Sequence, residues 1–479
     1  MRCHAINTAT DHARFAIQQN VGIAVNGGFP CGSGHPLVCP RCRYGCASRS
    51  CLADNPRMQA DESCCRLPPG SRGLPLLGES LEFFARSPSL ELLPFLKQRL
   101  ERYGPIFRTN IIAQDMIVSL DQELNNLVFQ QEERLFQCWY PNSFMRVFGA
   151  DSIITTFGSS HRHVRNLVLR LFGPENLRRA MLQEMQKTAQ ASLLSWLDRP
   201  SIEVKEEVSS MIIFSIIAKK LISYDSSASN GKLWKQFDAF LQGLLAFPIY
   251  LPGTAFYECM QGRKNVMRML RELLDERKKK TAHQLESIDF FDALIDELKQ
   301  EKPAVSENVA LDLVFLLLFA SFETTSSGIT AILRFLTDNP MALEELTEEH
   351  DRILKRKADP NSQITWEEYK SMKFTSHALR LANIAPVVFR KARQDVHIKG
   401  YTIPKGSKIM LSPSNIHMNP TDIAEPAGGG SKDFMAFGGG VLLCVGADFA
   451  KLQMAIFLHC LMGSDKGRIN GAFSWASIS

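Results

Sequence analysis

A single cysteine ends a glycine-rich loop in the segment Phe437-Gly-Gly-Gly-Val-Leu-Leu-Cys-Val-Gly446, directly before a predicted helix. Glycines let a backbone approach a flat ligand closely. The helix N-terminus and the free loop amides are expected to stabilise a thiolate on Cys444, which could then be an axial iron ligand. A phosphate loop would instead need a preceding strand and a following Lys-Ser/Thr pair, which are missing here. A buried cysteine in a tight loop is the alternative for this motif alone.

A second candidate site is a polar notch, Ala320-Ser-Phe-Glu-Thr-Thr325, inside an apolar segment around 311–336 that predicts a buried helix. Burying an acid and hydroxyl groups in such a helix costs stability, so a function for these groups is expected. A threonine hydroxyl that bonds back to a helical carbonyl can bend the helix and open a pocket there. A satisfied polar notch without any site is the alternative.

Arginine and histidine side chains form a third pattern, in His161-Arg-His-Val-Arg165 and at Arg380, Arg390 and His417. The planar guanidinium forms paired hydrogen bonds with carboxylates. Arginines that reach a cavity therefore suit a ligand with carboxylates, such as a porphyrin with its propionates. Taken singly, each of these arginines reads as a surface or ion-pair residue.

Charge and cysteine usage narrow the class of protein. The 479 residues carry 55 Lys and Arg against 50 Asp and Glu, and the net charge of +5 argues against a dedicated nucleic-acid binder. Eight of the 12 cysteines fall in residues 1–65. The remainder is therefore typical of a reduced, intracellular protein without a disulfide framework. In the head, residues 1–65, Cys39-Pro-Arg-Cys42 could be half of a zinc site, but no second well-spaced pair follows.

Hydrophobic periodicity predicts a mainly α fold with a small β-sheet. Apolar residues recur at helical spacing through most of 92–336 and again from Ala447 to about Leu461. Short strand-like segments bounded by Gly and Pro stand near both ends of this body, at Ile106–Ile112, Met116–Leu120, Val396–Ile398, Tyr401–Ile403 and Lys408–Leu411. The sequence contains no internal repeat and no convincing signal peptide or membrane span.

Together these features resemble the cytochrome P-450 family of heme-thiolate monooxygenases. Phe437–Gly446 resembles the heme-binding loop, and Ala320–Thr325 resembles the oxygen-activation helix. His161–Arg165 and Pro386–Arg390 resemble the two segments that bind the heme propionates. Leu67-Pro-Pro-Gly70 resembles the proline-rich hinge that usually follows a membrane anchor.

Three shorter motifs resemble plant members that act on sterols, brassinosteroids and triterpenoids, namely Trp139-Tyr-Pro141, Phe247-Pro248 and Leu251-Pro-Gly253. The resemblance implies a cytochrome P-450 fold that is incomplete near the C-terminus. The domain prediction is a Cys-rich, disordered head at 1–65, a cytochrome P-450 domain at 66–462 and a divergent tail at 463–479.

The resemblance also implies a reaction. Such enzymes take two electrons from NADPH through a separate NADPH–cytochrome reductase, split O₂ at the iron of heme b (iron protoporphyrin IX) and insert one oxygen atom into a C–H bond. Cys444 would be the axial iron ligand, and Glu323 and Thr324 would relay protons to bound dioxygen. The implied cofactor-binding residues are His161, Arg165, Ala320, Arg390, Phe437, Gly438, Cys444 and Gly446.

The implied substrate is a large, rigid sterol or triterpenoid in an apolar pocket. By analogy, the lining residues are Trp139, Phe144, Leu251, Phe315, Phe322 and Val388. The implied location is the endoplasmic reticulum membrane. The sequence lacks the family's N-terminal anchor, so a cytoplasmic or peripheral protein is the alternative, with Leu244–Phe256 as a segment that could rest on a membrane surface. No nucleic-acid partner is expected.

Several departures from the family bear on folding. Leu442 stands where the family usually has an arginine that pairs with a propionate. His377 stands where the family has a glutamate, and an aromatic- and Arg-containing stretch is missing at 426/427, so the structural residue Arg380 loses both usual partners. Removing one partner of a buried ion pair costs about 3–5 kcal/mol, against a total stability of about 5–15 kcal/mol. We therefore expect poor folding or poor heme retention unless Arg380 is solvated.

Two alternatives to an active monooxygenase follow from these departures and from the head. The first is a catalytically defective or mispredicted member of the family with impaired heme binding. The second is a zinc-binding head attached to an inactive helical domain.

Overall fold

The computed structural model describes residues 66–75, 78–83, 85, 93–111, 113–149, 152–155, 157–196, 199, 201–225, 232–244, 250–279, 289–357, 359, 362–375, 384–385, 387–413 and 435–463. Helices account for most of these residues, with a small sheet near both ends of the described body. The predicted mainly α class with a small β-sheet is therefore confirmed.

The α-helices are α1 (Ser80–Phe83), α2 (Pro94–Tyr103), α3 (Gln122–Gln130), α4 (Asn142–Phe148), α5 (Gly158–Phe172), α6 (Leu182–Trp196), α7 (Val204–Glu207), α8 (Ser215–Ile222), α9 (Lys232–Leu244), α10 (Ala255–Lys279), α11 (Phe290–Leu298), α12 (Glu307–Asp338), α13 (Pro340–Arg356), α14 (Trp366–Ser371) and α15 (Ala447–Gly463). Shorter helical segments lie at Ile153–Thr155, Pro174–Asn176, Leu177–Met181, Val208–Phe214 and Gly440–Leu442.

The strands are β1 (Ile106–Ile111), β2 (Gln114–Ser119), β3 (Phe136–Cys138), β4 (Val388–Ala392), β5 (Val396–Ile398), β6 (Tyr401–Ile403) and β7 (Lys408–Leu411). Five of them form one sheet in the order β1-β2-β7-β4-β3, and β5 pairs with β6 separately. The strands β1, β2, β5, β6 and β7 confirm the predicted segments. The pattern did not predict β3 and β4 as strands, and the two pair with each other although they lie far apart in the sequence.

The sheet joins the two ends of the described chain. β2 and β7 run parallel, with Met116 opposite Lys408. β4 is antiparallel to β7 and to β3, and Cys138 of β3 lies opposite Arg390 of β4. This register brings Arg390, a predicted propionate-binding residue, beside the segment that follows α3.

The long helix α12 runs through the helical core. Its first turn is capped by Ser306, whose hydroxyl accepts a hydrogen bond from the Val309 N–H. Most of its apolar side chains are buried against neighbouring helices, as predicted for a long apolar helix in the core. Among the described residues, α12 is the helix long and apolar enough to cross a membrane, and 56% of its most apolar window is buried within the protein.

Helices α12 and α15 cross closely at one glycine. A Cβ atom on Gly328 would lie 2.9 Å from the Met454 sulfur, which is too close for any side chain without a shift. Gly328 lies one helical turn after Thr324 in α12. The crossing therefore fixes the polar notch of α12 relative to the helix that follows Cys444.

Candidate functional site

The cysteine loop is closed by its own backbone hydrogen bonds. The Gly438 N–H donates to the Met435 carbonyl at 2.9 Å, and the Cys444 N–H donates to the Phe437 carbonyl at 3.0 Å. Gly438 and Gly440 have φ angles of 77° and 64°, a region that favours glycine. The sequence thus folds into a compact loop that presents Cys444 directly before α15, and Cys444 keeps an exposed surface.

The loop packs tightly on the end of α3. A Cβ atom on Gly440 would lie 1.9 Å from the Phe129 carbonyl oxygen, and one on Gly439 would lie 3.1 Å from the Phe129 Cβ. Only glycine leaves room for this approach. The two backbones are therefore in direct contact, and a side chain at residue 440 would separate them.

Arg165 also binds the loop. Its Nη1 atom donates a hydrogen bond to the Leu443 carbonyl at 2.5 Å. Helix α5, which carries Arg165, also packs on α15 through the rings of Phe172 and Phe449, whose centroids are 5.2 Å apart. The predicted cofactor residues Arg165 and Cys444 are therefore neighbours in space.

A residue that the sequence did not single out lies at the centre of this site. The Glu132 carboxylate accepts hydrogen bonds from Arg390 Nε at 2.8 Å and Arg390 Nη2 at 2.5 Å through Oε1, and from the Leu442 N–H at 2.9 Å through Oε2. The side chains of Arg390 and Glu132 are 5% and 1% exposed. Burial raises the pKa of Glu132, although Arg390 and the Leu442 N–H act in the opposite direction. No local sequence motif identifies Glu132 as a site residue, because its hydrogen-bond partners lie far away along the chain.

The pKa of the Cys444 thiol reflects two opposing effects. Surrounding protein atoms desolvate the sulfur and raise the pKa of the Cys444 thiol, and Asp448 adds to this. The Gly446 N–H and Arg165 lower the pKa, as the loop argument predicts, but their effect is smaller. A coordinated metal ion would reverse the balance, because it deprotonates a thiol ligand outright.

The polar notch of α12 is open on one side. Ala320 and Thr324 are exposed, although the residues around them in the helix are mostly buried. The Thr324 hydroxyl donates to the Ala320 carbonyl at 2.7 Å, which confirms the predicted bond back to the helix. The notch therefore combines a small side chain and a hydroxyl on the same face of α12.

Glu323 is ion-paired rather than free. The Lys205 ammonium donates to its carboxylate at 2.9 Å, and the two side chains are 14% and 22% exposed. Lys205 belongs to α7, and no motif in the sequence pointed to it. The predicted proton relay therefore starts from a carboxylate that is already held by a cation.

The predicted substrate residues fall into two groups. Phe315 and Phe322 are fully buried among the rings of Phe214, Trp234, Phe237 and Phe240, so in this structure they belong to the core. Trp139, Phe144 and Val388 are half-buried, and Leu251 is 60% exposed. Their role in substrate binding stays a prediction.

A family model of Cytochrome P450 matches residues 68–464. The chain belongs to the cytochrome P450 family. This family consists of monooxygenases, and its members carry heme iron. The predicted family and fold are therefore confirmed, and the comparisons do not favour the alternatives of a defective member or a zinc-binding head.

Plant relatives and one solved structure resemble this cytochrome P450 over most of its length. Cytochrome P450 87A3 of Oryza sativa subsp. japonica is 49% identical over 431 residues, covering 86% of this chain and 82% of the relative. Cucurbitadienol 11-hydroxylase of Siraitia grosvenorii is 36% identical, with coverage of 82% and 86%. Beta-amyrin 16-alpha-hydroxylase CYP87D16 of Maesa lanceolata is also 36% identical, with coverage of 86% and 88%. The retinoic acid-bound cyanobacterial CYP120A1 aligns with a TM-score of 0.70 and 25% identity, covering 83% of this chain and 92% of that chain.

The residues of this cytochrome P450 fit a heme. Cys444 supplies an exposed thiol donor, and the small exposed residue Ala320 lies on the open face of α12. A Cβ atom on Gly438 would meet nothing within 4 Å, so the loop leaves open space at this glycine. The Nδ1 atom of His161 is buried without a hydrogen-bond partner among the described residues, and burial lowers its pKa. An orphaned polar atom beside Arg165 is suited to a ligand with carboxylates.

Several predictions concern residues outside those that the structure describes. They include the loss of both partners by Arg380, the departure at His377, the gap at 426/427, the head at 1–65 and the tail after residue 463. Within the described ranges, no group of three or more His, Cys, Asp or Glu side chains could hold a metal ion.

Proposed function

We propose that this cytochrome P450 is a heme-thiolate monooxygenase that hydroxylates a rigid, apolar triterpenoid or sterol. The observation that carries the proposal is the combination of an exposed Cys444 in a tightly held loop with the open Ala320–Thr324 face of α12. The substrate class is supported by the relatives at 36% identity, whose names describe hydroxylation of cucurbitadienol and beta-amyrin.

The cofactor would be held by residues from three parts of the chain. Bound heme iron would supply the binding and activation of dioxygen. Cys444 Sγ would coordinate the iron, with the Gly446 N–H donating to the sulfur. Arg165, Arg390 and His161 would bind the propionates. Arg165 and Arg390 already have acceptors at Leu443 and Glu132, so each would share its remaining N–H groups with a propionate.

Two side chains of α12 would move protons. The Thr324 hydroxyl donates to the Ala320 carbonyl at 2.7 Å. Its oxygen can therefore still accept a hydrogen bond from a proton donor such as water. Glu323 would bring protons from solvent by releasing its contact with Lys205. The ion pair would act as a gate, because the Lys205 ammonium holds the Glu323 carboxylate at 2.9 Å until it is released.

The substrate would lie against half-buried rings near β3 and α4. Tyr140 and Phe144 are stacked at 5.0 Å, and Trp139 packs on Phe389 at 6.0 Å. Such rings form the kind of rigid apolar wall that suits a fused ring system. Phe315 and Phe322 would support this wall from the core, and Val388 and Leu251 would complete it.

Electrons would come from NADPH through a separate NADPH–cytochrome reductase, as in the resembling enzymes. The protein would work at the endoplasmic reticulum membrane surface. This placement is supported by Tyr250 and Leu251, which precede α10 and are 57% and 60% exposed. Exposed aromatic and aliphatic side chains of this kind suit the boundary between headgroups and acyl chains.

The test is the carbon monoxide difference spectrum of the reduced protein, followed by turnover of beta-amyrin, cucurbitadienol and cholesterol with reductase and NADPH. We expect a thiolate-type Soret band and a hydroxylated product from at least one triterpenoid. Cys444→Ser should lose the band, whereas Cys259→Ala, a buried cysteine in α10, should keep it. A wild-type protein without the band would refute the heme-thiolate assignment. If cholesterol alone is turned over, the substrate class is a sterol and not a triterpenoid.

A further inference from the structure

Glu132 joins the cysteine loop to the sheet. Its Oε1 atom accepts from two nitrogens of Arg390 in β4, and its Oε2 atom accepts from the Leu442 N–H in the loop. We propose that Glu132 is a positioning residue, which holds the loop in place for Cys444 by bridging Leu442 to Arg390. The inference rests on the proposed function, because it assigns Glu132 a purpose toward the cofactor ligand.

The bridge needs a carboxylate in particular. Both oxygens of Glu132 are acceptors, and all three groups that face them are N–H donors. An amide in the same place offers one acceptor oxygen and one NH₂ group, which would face a donor. The carboxylate also balances the charge of Arg390, whose side chain is 5% exposed. No neutral residue of the same size can satisfy the loop and the arginine together.

The contacts of the loop converge on the residues directly before Cys444. Glu132 binds the N–H of Leu442, and Arg165 binds the carbonyl of Leu443. The backbone at Gly440 lies against the end of α3, two residues before Glu132 in the chain. Two charged side chains thus hold consecutive loop residues, which limits how far Cys444 can move.

The contact of Glu132 with the loop matters more in this chain because residue 442 is a leucine. The resembling family usually has an arginine at that position, and leucine offers no side-chain hydrogen bond there. The loop therefore depends on its main chain for polar contacts at residue 442. Glu132 supplies that contact.

The bridge also leaves Arg390 able to bind an anion. A guanidinium has five N–H groups, of which Nε and one on Nη2 point to Glu132 and one on Nη1 points to the Phe389 carbonyl. Among the described residues the other two have no acceptor. Glu132 therefore orients Arg390 while it leaves those two N–H groups for a propionate.

The test compares Glu132→Gln with the wild-type chain in heme-free protein, by hydrogen exchange of the amides of residues 440–446. We expect exchange of the Leu442 amide to become faster by about tenfold or more, because its acceptor is lost. Glu123→Gln is the matched control. Glu123 lies in α3, its side chain is 70% exposed, and its contact with Lys399 is at the surface, so exchange should not change.

A double variant separates positioning from simple charge balance. Glu132→Gln with Arg390→Gln removes the buried unpaired charge and should recover thermal stability where the single variant folds poorly. Loop exchange should stay fast in the double variant if Glu132 positions the loop. Wild-type protection in either variant would overturn the proposal. Because exchange is read without heme, a wild-type protein that binds no heme would refute the proposed function and leave this result intact.

Discussion

Arg165 Nη1 donates a hydrogen bond of 2.5 Å to the carbonyl oxygen of Leu443, the residue directly before Cys444. We expect Arg165→Gln to lower the heme-to-protein ratio of purified protein by about tenfold, because a hydrogen bond from a charged group contributes roughly 1.5–3 kcal/mol. The ratio is measured from the Soret and protein absorbance. Arg170→Gln, at an exposed position of the same helix, is the control. Equal heme content in Arg165→Gln and wild type would show that this contact does not hold the site.

Gly438 and Gly440 form a natural matched pair. Both have positive φ, so an alanine at either residue carries about 1–2 kcal/mol of backbone strain. A Cβ atom on Gly440 would also overlap the Phe129 carbonyl, whereas one on Gly438 meets open space. We therefore expect Gly440→Ala to lose more thermal stability and more heme than Gly438→Ala. Similar melting temperatures for the two variants would contradict the close approach of the loop to α3.

The ion pair between Glu323 and Lys205 makes a kinetic prediction. Glu323→Gln should keep the carbon monoxide band and lower the rate of product formation by about 10²–10⁴-fold, the usual contribution of a positioned acid or base. Glu307→Gln is the control, since Glu307 lies in the same helix and pairs with Lys278 at the surface. The measurement is product formed per minute at saturating substrate, and an unchanged rate would remove Glu323 from the proton path.

Two buried histidines predict how stability depends on pH. The Nδ1 atoms of His350 in α13 and His459 in α15 lie 3.1 Å apart. Burial lowers the pKa of His350 to about 3, helped by His459, and lowers that of His459 to about 4, helped by Lys357. Both rings are neutral when folded, and the unfolded chain takes up protons below about pH 6.5. Their contribution to stability is therefore complete above that pH and falls as the pH drops toward 4.

The effect is measurable by urea denaturation at pH 7.5 and pH 5.5. Wild type should lose roughly 1–3 kcal/mol of unfolding free energy over this interval from the pair. His459→Asn should lose clearly less, since one titrating ring is gone and the amide can still bond to His350. His397→Asn, at an exposed residue, should behave as wild type. The same pH dependence in His459→Asn would contradict the assignment.

Most site residues that were predicted from the sequence belong to contiguous motifs. The loop before Cys444 and the notch at Thr324 are each local, so their residues and their backbone hydrogen bonds could be foreseen. Glu132 could not, because its partners Arg390 and Leu442 are 258 and 310 residues away. The Gly446 N–H and Arg165 act on the Cys444 thiol in the predicted direction, but the opposing desolvation of the sulfur depends on the packing of distant segments, which a local motif does not reveal.

The parallel pairing of β2 with β7 joins segments that are synthesised at different times. Met116 has its strand partner at Lys408, and Glu132 and Arg165 have their hydrogen-bond partners at Leu442 and Leu443. Synthesis proceeds from the N-terminus, so the early halves of these contacts leave the ribosome long before the late halves exist. A nascent chain consequently has no complete site, and capture of the cofactor is an event of the finished polypeptide.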